Sequence, residues 1–339
     1  MEFTTGGRLE VRITPADVGK RVSVRSLTDG SPGEARFTDT VGVLTSWTGG
    51  VLRITRKAGE SVELAETALV AGKPVPAAPA RRRGVPAADA REVHRVAARG
   101  WPPLETEQLG DWTLRAAAGF TRRANSVLPL GDPGIGTEQA LERVVAWYAA
   151  RELTPYVQVS TGSARQDRTL DSALEDLGWQ AEGHALLCVG ALAPLSDRAE
   201  DRRVRVHRTP EAEWLRAYGR AGEAPGDAAL RVLAGGPSVW FATVPSEEAG
   251  AGASAIGRVV VDGRWAGFAA VEVAPAHRRR GLGTAVMAEL ARKALQEGAS
   301  AAHLQVEQDN RAARALYARL GFQDSHAYHY RRPAGPSAT

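Results

Sequence analysis

The sequence predicts an α/β protein with mixed sheets, preceded by a small all-β module, and three stretches carry that prediction. Residues 271–283, VEVAPAHRRRGLG, read as a strand stopped by Pro275 and then a turn with two glycines. Val286, Met287, Leu290, Ala294 and Leu295 follow at helical spacing until Gly298. Residues 8–72 hold short β-rich runs punctuated by turn residues, and residues 89–192 repeat an order found again near the C-terminus: strand, short helix, Leu-Gly-aromatic, strand.

In the first module the runs are RLEVRIT, KRVSVRSL, FTDTVGVLTSW, VLRITR and SVELAE. Turns are expected at Asp29-Gly30-Ser31-Pro32-Gly33, Gly49-Gly50 and Ala58-Gly59. Such a set suits an SH3-like or Tudor-like barrel over 1–72. Its basic residues, Arg8, Arg12, Lys20, Arg21, Arg25, Arg53, Arg56 and Lys57, invite a nucleic-acid reading. Acidic residues balance most of that charge, however, and Trp47 has only Phe3 and Phe37 as aromatic company. Docking or stabilisation is the expected role, and nucleic acid is not an expected partner. Residues 73–88, KPVPAAPARRRGVPAA, form a linker, in which Arg81-Arg82-Arg83 reads as solvated charge.

The second unit begins with a helix, ADAREVHRVAAR, that ends before Gly100. DWTLRAAAGFTRRANSVLPLG follows as a hairpin turning near Ala118-Gly119. TEQALERVVAWYAAREL is an amphipathic helix with Thr137 as N-cap, and TPYVQVS, LDSALEDLGW and HALLCVGAL are strand, short helix and strand. Leu177-Gly178-Trp179 answers Leu320-Gly321-Phe322, and Tyr156-Val157-Gln158-Val159 answers His303-Leu304-Gln305-Val306.

After PLSDRAEDRR the third unit opens with the strand RVRVHRT and the helix PEAEWLRAYGRAG, with Pro210 at its start. SVWFATVP is a strand, EEAGAGAS a loop, and AIGRVVVDGRWAGFAAVEV a hairpin turning at Asp262-Gly263. His303 to Glu307 is a strand, Asp309-Asn310 a turn, and a short helix then leads to the closing strand, His326 to Tyr330.

At 339 residues the chain exceeds one small domain, and its 43% apolar content supports packed cores. A net charge of +4 suits an anionic ligand without pointing to nucleic acid. The single cysteine, Cys188, excludes an intrachain disulfide and any cysteine-rich metal site, and no metal is expected. No signal-peptide core or membrane-length apolar run is present, so a cytoplasmic protein without a membrane partner is expected. Abundant Ala, Arg and Gly with little Lys point to a GC-rich bacterial genome.

The glycine turn suits a pyrophosphate, because its first-turn amides lack intrahelical partners and its arginines supply the matching charge. It lacks the Lys-Ser/Thr ending of a P-loop and the spacing of a dinucleotide fingerprint. What it presents is Arg278-x-x-Gly281-x-Gly283, followed by Asn310-x-x-Ala313-x-x-Leu316-Tyr317 and Leu320-Gly321-Phe322. In this order and spacing these motifs resemble the acetyl-CoA core of the GNAT acetyltransferase superfamily. The resemblance covers 203–331 well and 89–192 weakly. In the weaker half NSVLPLGDPGIG lacks the arginine motif, and nothing matches Asn310 or Tyr317. The whole looks like bacterial GNAT proteins with a Tudor-like barrel ahead of a tandem region. The implied divisions are a barrel (1–72), a linker (73–88), a degenerate GNAT-like half (89–192) and an acetyl-CoA-binding GNAT domain (203–331).

The resemblance implies roles. Backbone groups around Val271 and Val273 pair with the pantetheine arm. The amides of Arg279, Arg280, Gly281, Leu282, Gly283 and Thr284, with Arg278, hold the pyrophosphate. Asn310 bonds the pantetheine region or fixes the splay of the strands, and Tyr317 protonates the leaving thiolate. The implied reaction is direct attack of a primary amine, small-molecule or protein-borne, on acetyl-CoA in a ternary complex. It requires a base. Glu272, whose side chain opposes those of Val271 and Val273, is the first candidate, unless it pairs with Arg264 on the surface. Glu307 is the second candidate, and His326 and His329 stand behind them. A monomer or homodimer is expected. The alternative is a non-catalytic acyl-CoA-binding protein whose barrel binds a partner or nucleic acid.

Overall fold

The computed structural model describes residues 11–28, 36–56, 59–75, 81, 83–161, 165–219, 225–246 and 252–334. The turn expected at 29–33, Ala58, Arg82 and residues 247–251 of the expected loop lie outside the described residues.

Five strands come first: β1 (Arg21–Thr28), β2 (Arg36–Thr48), β3 (Val51–Thr55), β4 (Ser61–Ala65) and β5 (Leu69–Pro74). They pair in the order β4-β3-β2-β1-β5, compatible with a small barrel. Gly49 and Gly50, both at positive φ, make the two-residue turn between β2 and β3. Ile13, Val22, Val24, Leu44, Leu52 and Ile54 form the core. The run RLEVRIT is not a strand over its described part. Val11 makes one bridge to Gly72, and Pro15 then starts a 3-10 turn fixed by the Thr14 N–H donating to Asp17 Oδ2 (2.9 Å).

The remaining elements are α1 (Ala90–Arg99), β6 (Glu105–Leu109), β7 (Trp112–Ala116), β8 (Leu128–Pro129), α2 (Thr137–Ala149), β9 (Val157–Thr161), α3 (Arg165–Asp176), β10 (Trp179–Ala191), α4 (Leu192–Ser196), β11 (Arg205–His207), α5 (Ala212–Ala217), α6 (Asp227–Ala234), β12 (Val239–Val244), β13 (Ala255–Asp262), β14 (Trp265–Val273), α7 (Leu282–Gln296), β15 (Ala301–Glu307), α8 (Arg311–Arg319) and β16 (Gln323–Pro333). Eight strands form one mixed sheet in the order β11-β12-β13-β14-β15-β10-β16-β9, the α/β class expected.

That order records an exchange. β10, which follows β9 and α3 in the chain, lies between β15 and β16, with Leu187 opposite Gln305 on one side and His326 on the other. β16, which follows β15 and α8, lies between β10 and β9, with Tyr330 opposite Gln158. Each half thus completes the other's sheet with its final strand. The halves also share a parallel contact: β14 and β15 pair in parallel, and Val127 bridges Val157 in the same sense.

Three local expectations are corrected. The expected hairpin forms as β7 against β8, antiparallel, but residues 117–127 connect them in place of a tight turn at Ala118-Gly119, and a further hairpin turns at Gly110-Asp111 between β6 and β7. Within residues 117–127 Asn125 holds an open loop: its Oδ1 accepts the amides of Ala117 (2.7 Å) and Gly119 (3.0 Å), and its Nδ2 donates to Phe120 O. Gly136, not Thr137, is the N-cap of α2. Over its described residues, which end at Gly219, the helix expected from Pro210 to Gly222 is α5. Tyr218 leaves helical geometry and stacks on Trp214 (5.2 Å), and α6 forms further on.

One face of the sheet packs against α7 through Val259, Phe268, Val286, Met287, Leu290 and Leu304. Gly257 allows this approach, because a Cβ there would collide with Val286. On the other face Trp214 is fully buried and donates Nε1 to Gly257 O (3.1 Å). Beneath α1 and α6, buried Arg258 donates to the carbonyls of Leu233 (2.7 Å), Gly100 (2.9 Å) and Gly235 (2.8 Å). These lie at two helix C-termini, where a cation is favoured. In the linker, Arg81 and Arg83 both pair with Asp197 (2.8 and 2.7 Å).

Candidate active site

β14 and β15 pair only from Trp265–Phe268 opposite Ala301–Leu304, and then part. The cause is a bulge in β14. The register against β13 shifts between Ile256 and Arg258, and Ala270 takes a φ of 50°, which a side chain resists. Beyond Phe268, β14 keeps β13 on one edge as far as Val273 opposite Ala255, while its other edge has no strand partner among the described residues. A wedge therefore opens at the C-terminal ends of two parallel strands, where α/β sheets place ligands.

The glycine turn borders this wedge. Gly281 caps α7 in the left-handed conformation (φ 78°), and no side chain satisfies the cap. The first-turn amides and the positive end of the helix dipole are thus available to an anion. Arg278, Arg279 and Arg280 are exposed around it, Arg279 itself at φ 66°, and Arg278 Nε donates to Val273 O (3.4 Å). Gly283 lies against α8 and β14: a Cβ there would stand 3.2 Å from Leu316 and 3.6 Å from Val273. The Leu282 side chain is buried in the core, and Thr284 is half-buried.

The other expected residues are placed as follows. Val271 and Val273 pack on the α7 side of the sheet. Glu272 takes the opposite side, where Oε2 accepts the Gly219 N–H (3.1 Å). It does not pair with Arg264, which reaches Glu92 (2.7 Å) beside the Trp265 indole. Glu307 is exposed, and strand alternation with His303 and Gln305 puts it on the Glu272 side. Asn310 caps α8, Oδ1 accepting the Ala313 N–H (3.0 Å). Tyr317 is half-buried, edge-on to Phe322 (6.0 Å). His326 and His329 lie on β16, two strands from β15. His326 meets buried His94 (2.8 Å between Nε2 atoms), and His329 meets Asp171 (3.1 Å). Burial, then His326, pushes the His94 pKa down to about 3, and burial also lowers that of His329.

Several features of the region escaped the sequence reading. The bulge at Ala270 leaves no motif. Phe120, Tyr218 and Trp101, which belong to the same hydrophobic cluster as Ala269 and Ala270, come from distant segments. The half-buried Arg123 also arrives from the weaker half, its Nε donating to Gln305 Oε1 (2.7 Å). One signal was readable: Gly134-Ile135-Gly136-Thr137 echoes Gly281-Leu282-Gly283-Thr284, and Gly134 (φ 77°) matches Gly281. There, however, Asp132 Oδ1 accepts the Gly134 N–H (2.7 Å), and the N-cap of α2 is Gly136, two residues further on.

Residues 87–331 match the model of a family described as probable histone acetyltransferase Rv0428c C-terminal. The chain belongs to this family of GNAT acetyltransferases. An uncharacterized N-acetyltransferase, YobR of Bacillus subtilis, is 29% identical over 250 residues, 72% of this chain and 98% of its own length. The probable histone acetyltransferase Rv0428c of Mycobacterium tuberculosis is 32% identical over 182 residues, 54% of each protein, so the chain matches about half of that relative's length. A GCN5-related N-acetyltransferase from Kribbella flavida shares the fold, with a TM-score of 0.53 at 15% identity over 74% of this chain and 97% of that one. Among the described residues of this acetyltransferase, no helix is long and apolar enough to cross a membrane.

Proposed function

We propose that this acetyltransferase moves the acetyl group of acetyl-CoA to a primary amine by direct attack in a ternary complex. The observation that carries the reading is the juxtaposition of an unpaired edge of β14 with an uncapped, arginine-flanked helix N-terminus. Pantetheine carries amide groups that pair with the free edge around Val271 and Val273, as an added strand would. The pyrophosphate takes the amides from Arg279 to Thr284 and the charge of Arg278 and Arg280. The acceptor enters from the opposite face of the sheet, where Glu272 and Glu307 face the wedge.

A protonated amine has no lone pair for attack, so a carboxylate, directly or through water, first takes its proton. The nitrogen then bonds the acetyl carbon, the carbon–sulfur bond breaks, and the nitrogen's second proton passes to the leaving thiolate, so that the products are a neutral amide and a thiol. A thiol pKa of about 8.5 makes that departure easy, so proton donation by Tyr317 contributes modestly. In this reading residues 89–192 are a half without coenzyme, because no arginine flanks the turn that mirrors Gly281 and Asp132 takes the Gly134 amide. The barrel serves docking, and the protein works in the cytoplasm.

Calorimetric titration with acetyl-CoA, on the wild type and on Gly281→Glu, tests the proposal. One site per chain, lost in the variant, is expected. Two sites would overturn the reading of residues 89–192, and no binding would overturn the acetyltransferase mechanism.

A further inference from the structure

Arg123 has fewer hydrogen-bond acceptors than the other inward-facing arginines that lack a carboxylate partner. Arg331 pairs with Asp171 (2.8 Å), Arg208 with Glu297 (2.5 Å) and Arg25 with Asp39 (3.1 Å). Buried Arg115 reaches Ser126 and Gln158, and Arg258 is ringed by carbonyls. Arg123 is half-buried, yet among the described residues its contacts are the Gln305 amide oxygen, the Tyr328 phenol and, at 5.7 Å, the Trp101 ring. None is an anion. Desolvation opposes the Arg123 charge, the phenols of Tyr328, Tyr330 and Tyr218 act the other way, and a bound carboxylate would supply the full counter-charge that these neutral groups do not.

Its position says which ligand. Gln305 lies one residue past the last β15 residue that pairs with β14, at the mouth of the wedge and on the acceptor side. Tyr218, close enough to act on the Arg123 charge, precedes Gly219, whose amide holds Glu272. Glu307 follows Gln305 by two residues on the same face. One side of the sheet thus offers two carboxylates and one cation around the point where the strands part. Carboxylates suit an ammonium, and a guanidinium suits a carboxylate bidentately.

We infer that Arg123 selects the acceptor by binding a carboxylate, so that the substrate is a small amine that also bears a carboxylate, such as an α- or ω-amino acid. This rests on the proposed acetyl transfer and narrows its acceptor. The residue reaches the site from the loop between β7 and β8, which gives the half without coenzyme a direct part in recognition.

The test measures thiol release from acetyl-CoA with amino acids and their carboxamides as matched acceptors. The wild type is expected to favour the carboxylate by about 10- to 150-fold in kcat/KM, the worth of a charge-assisted hydrogen bond, and mainly through KM. In Arg123→Gln the paired acceptors converge, Arg123→Lys keeps part of the preference, and acetyl-CoA affinity is unchanged in both. Equal rates in the wild type, a preference that survives Arg123→Gln, or a lysine-rich peptide that outcompetes every amino acid overturns the inference. Titration of the CoA-bound protein with the same amino acids separates the two readings. If no amine is acetylated while amino acids bind in an Arg123-dependent way, acetyl transfer falls and the anion site stands. If they do not bind, the site falls as well.

Discussion

Lys73 Nζ lies 3.0 Å from Glu297 Oε2, so the last barrel strand reaches a buried carboxylate at the C-cap of α7. A helix C-terminus repels an anion, and burial adds to that cost. Donors offset both: Arg208 (2.5 Å), Ser238 Oγ (2.6 Å), Trp240 Nε1 (2.7 Å) and Lys73 itself. Arg208 also lies 3.6 Å from Asp39 on β2. The barrel is therefore tied to the end of α7 opposite the proposed pyrophosphate site.

Glu297 makes stability depend on acid. Burial acts to raise its pKa, but Arg208, Lys73 and Ser238 outweigh burial and hold it down at about 2, against 4.5 ordinarily. A depressed carboxyl pKa stabilises the fold above the unfolded value, and that contribution fades as pH falls from about 4.5 towards 2. It amounts to about 3 kcal/mol. Thermal unfolding from pH 6 to pH 3 should show a falling midpoint in the wild type and a flatter curve from a lower start in Glu297→Gln. Parallel curves would show that the carboxylate is not the titrating tie.

The strand exchange predicts mutual dependence. Without β16, β9 loses its sheet neighbour and β10 keeps only β15. Fragments 87–197 and 203–334, produced separately, should be insoluble or molten, and together they should form a 1:1 complex with native circular dichroism. A cooperative unfolding transition in either fragment alone would show that the halves fold independently and exchange strands afterwards.

Much of the fold was legible because its core strands follow simple patterns. β12, β13 and β14 are apolar runs, and α7 carries its stripe from Val286 to Leu295. β6 was not legible, because Glu105–Leu109 reads ETEQL, a polar edge strand whose partner sets its conformation. The exchange was not legible either, since local pattern says nothing about which sheet a strand joins. For the site, the Arg278-to-Gly283 turn stood out because glycine and arginine carry backbone and charge information locally. Ala270 and Arg123 carried none: one depends on register against β13, the other on a loop folded across from the weaker half.

Glu272 and Glu307 can be separated by rate. If Glu272 takes the proton, Glu272→Gln should lower kcat by about 10²- to 10⁴-fold while acetyl-CoA affinity holds, and Glu307→Gln should cost far less. The loss should shrink above about pH 10, where an aliphatic amine deprotonates unaided. A deficit in Glu272→Gln that stays constant across pH would assign that residue to positioning Gly219 and the acceptor wall.

Arg258 tests how the second face of the sheet is held. Its guanidinium satisfies three backbone carbonyls at the ends of α1 and α6 and lies 4.9 Å over the Trp101 ring. Burial pushes its pKa down to about 9, so it remains charged at neutral pH. Arg258→Met fills similar volume but leaves those carbonyls unpaired, and each lost partner costs about 1–3 kcal/mol. Chemical denaturation should therefore show a loss of more than about 3 kcal/mol. Arg258→Lys should recover only part, because an ammonium is a point charge and cannot span both helix ends. Amide exchange should accelerate first in α1 and α6, before α7. Uniform acceleration would mean that Arg258 stabilises the whole sheet and does not pin these two helices.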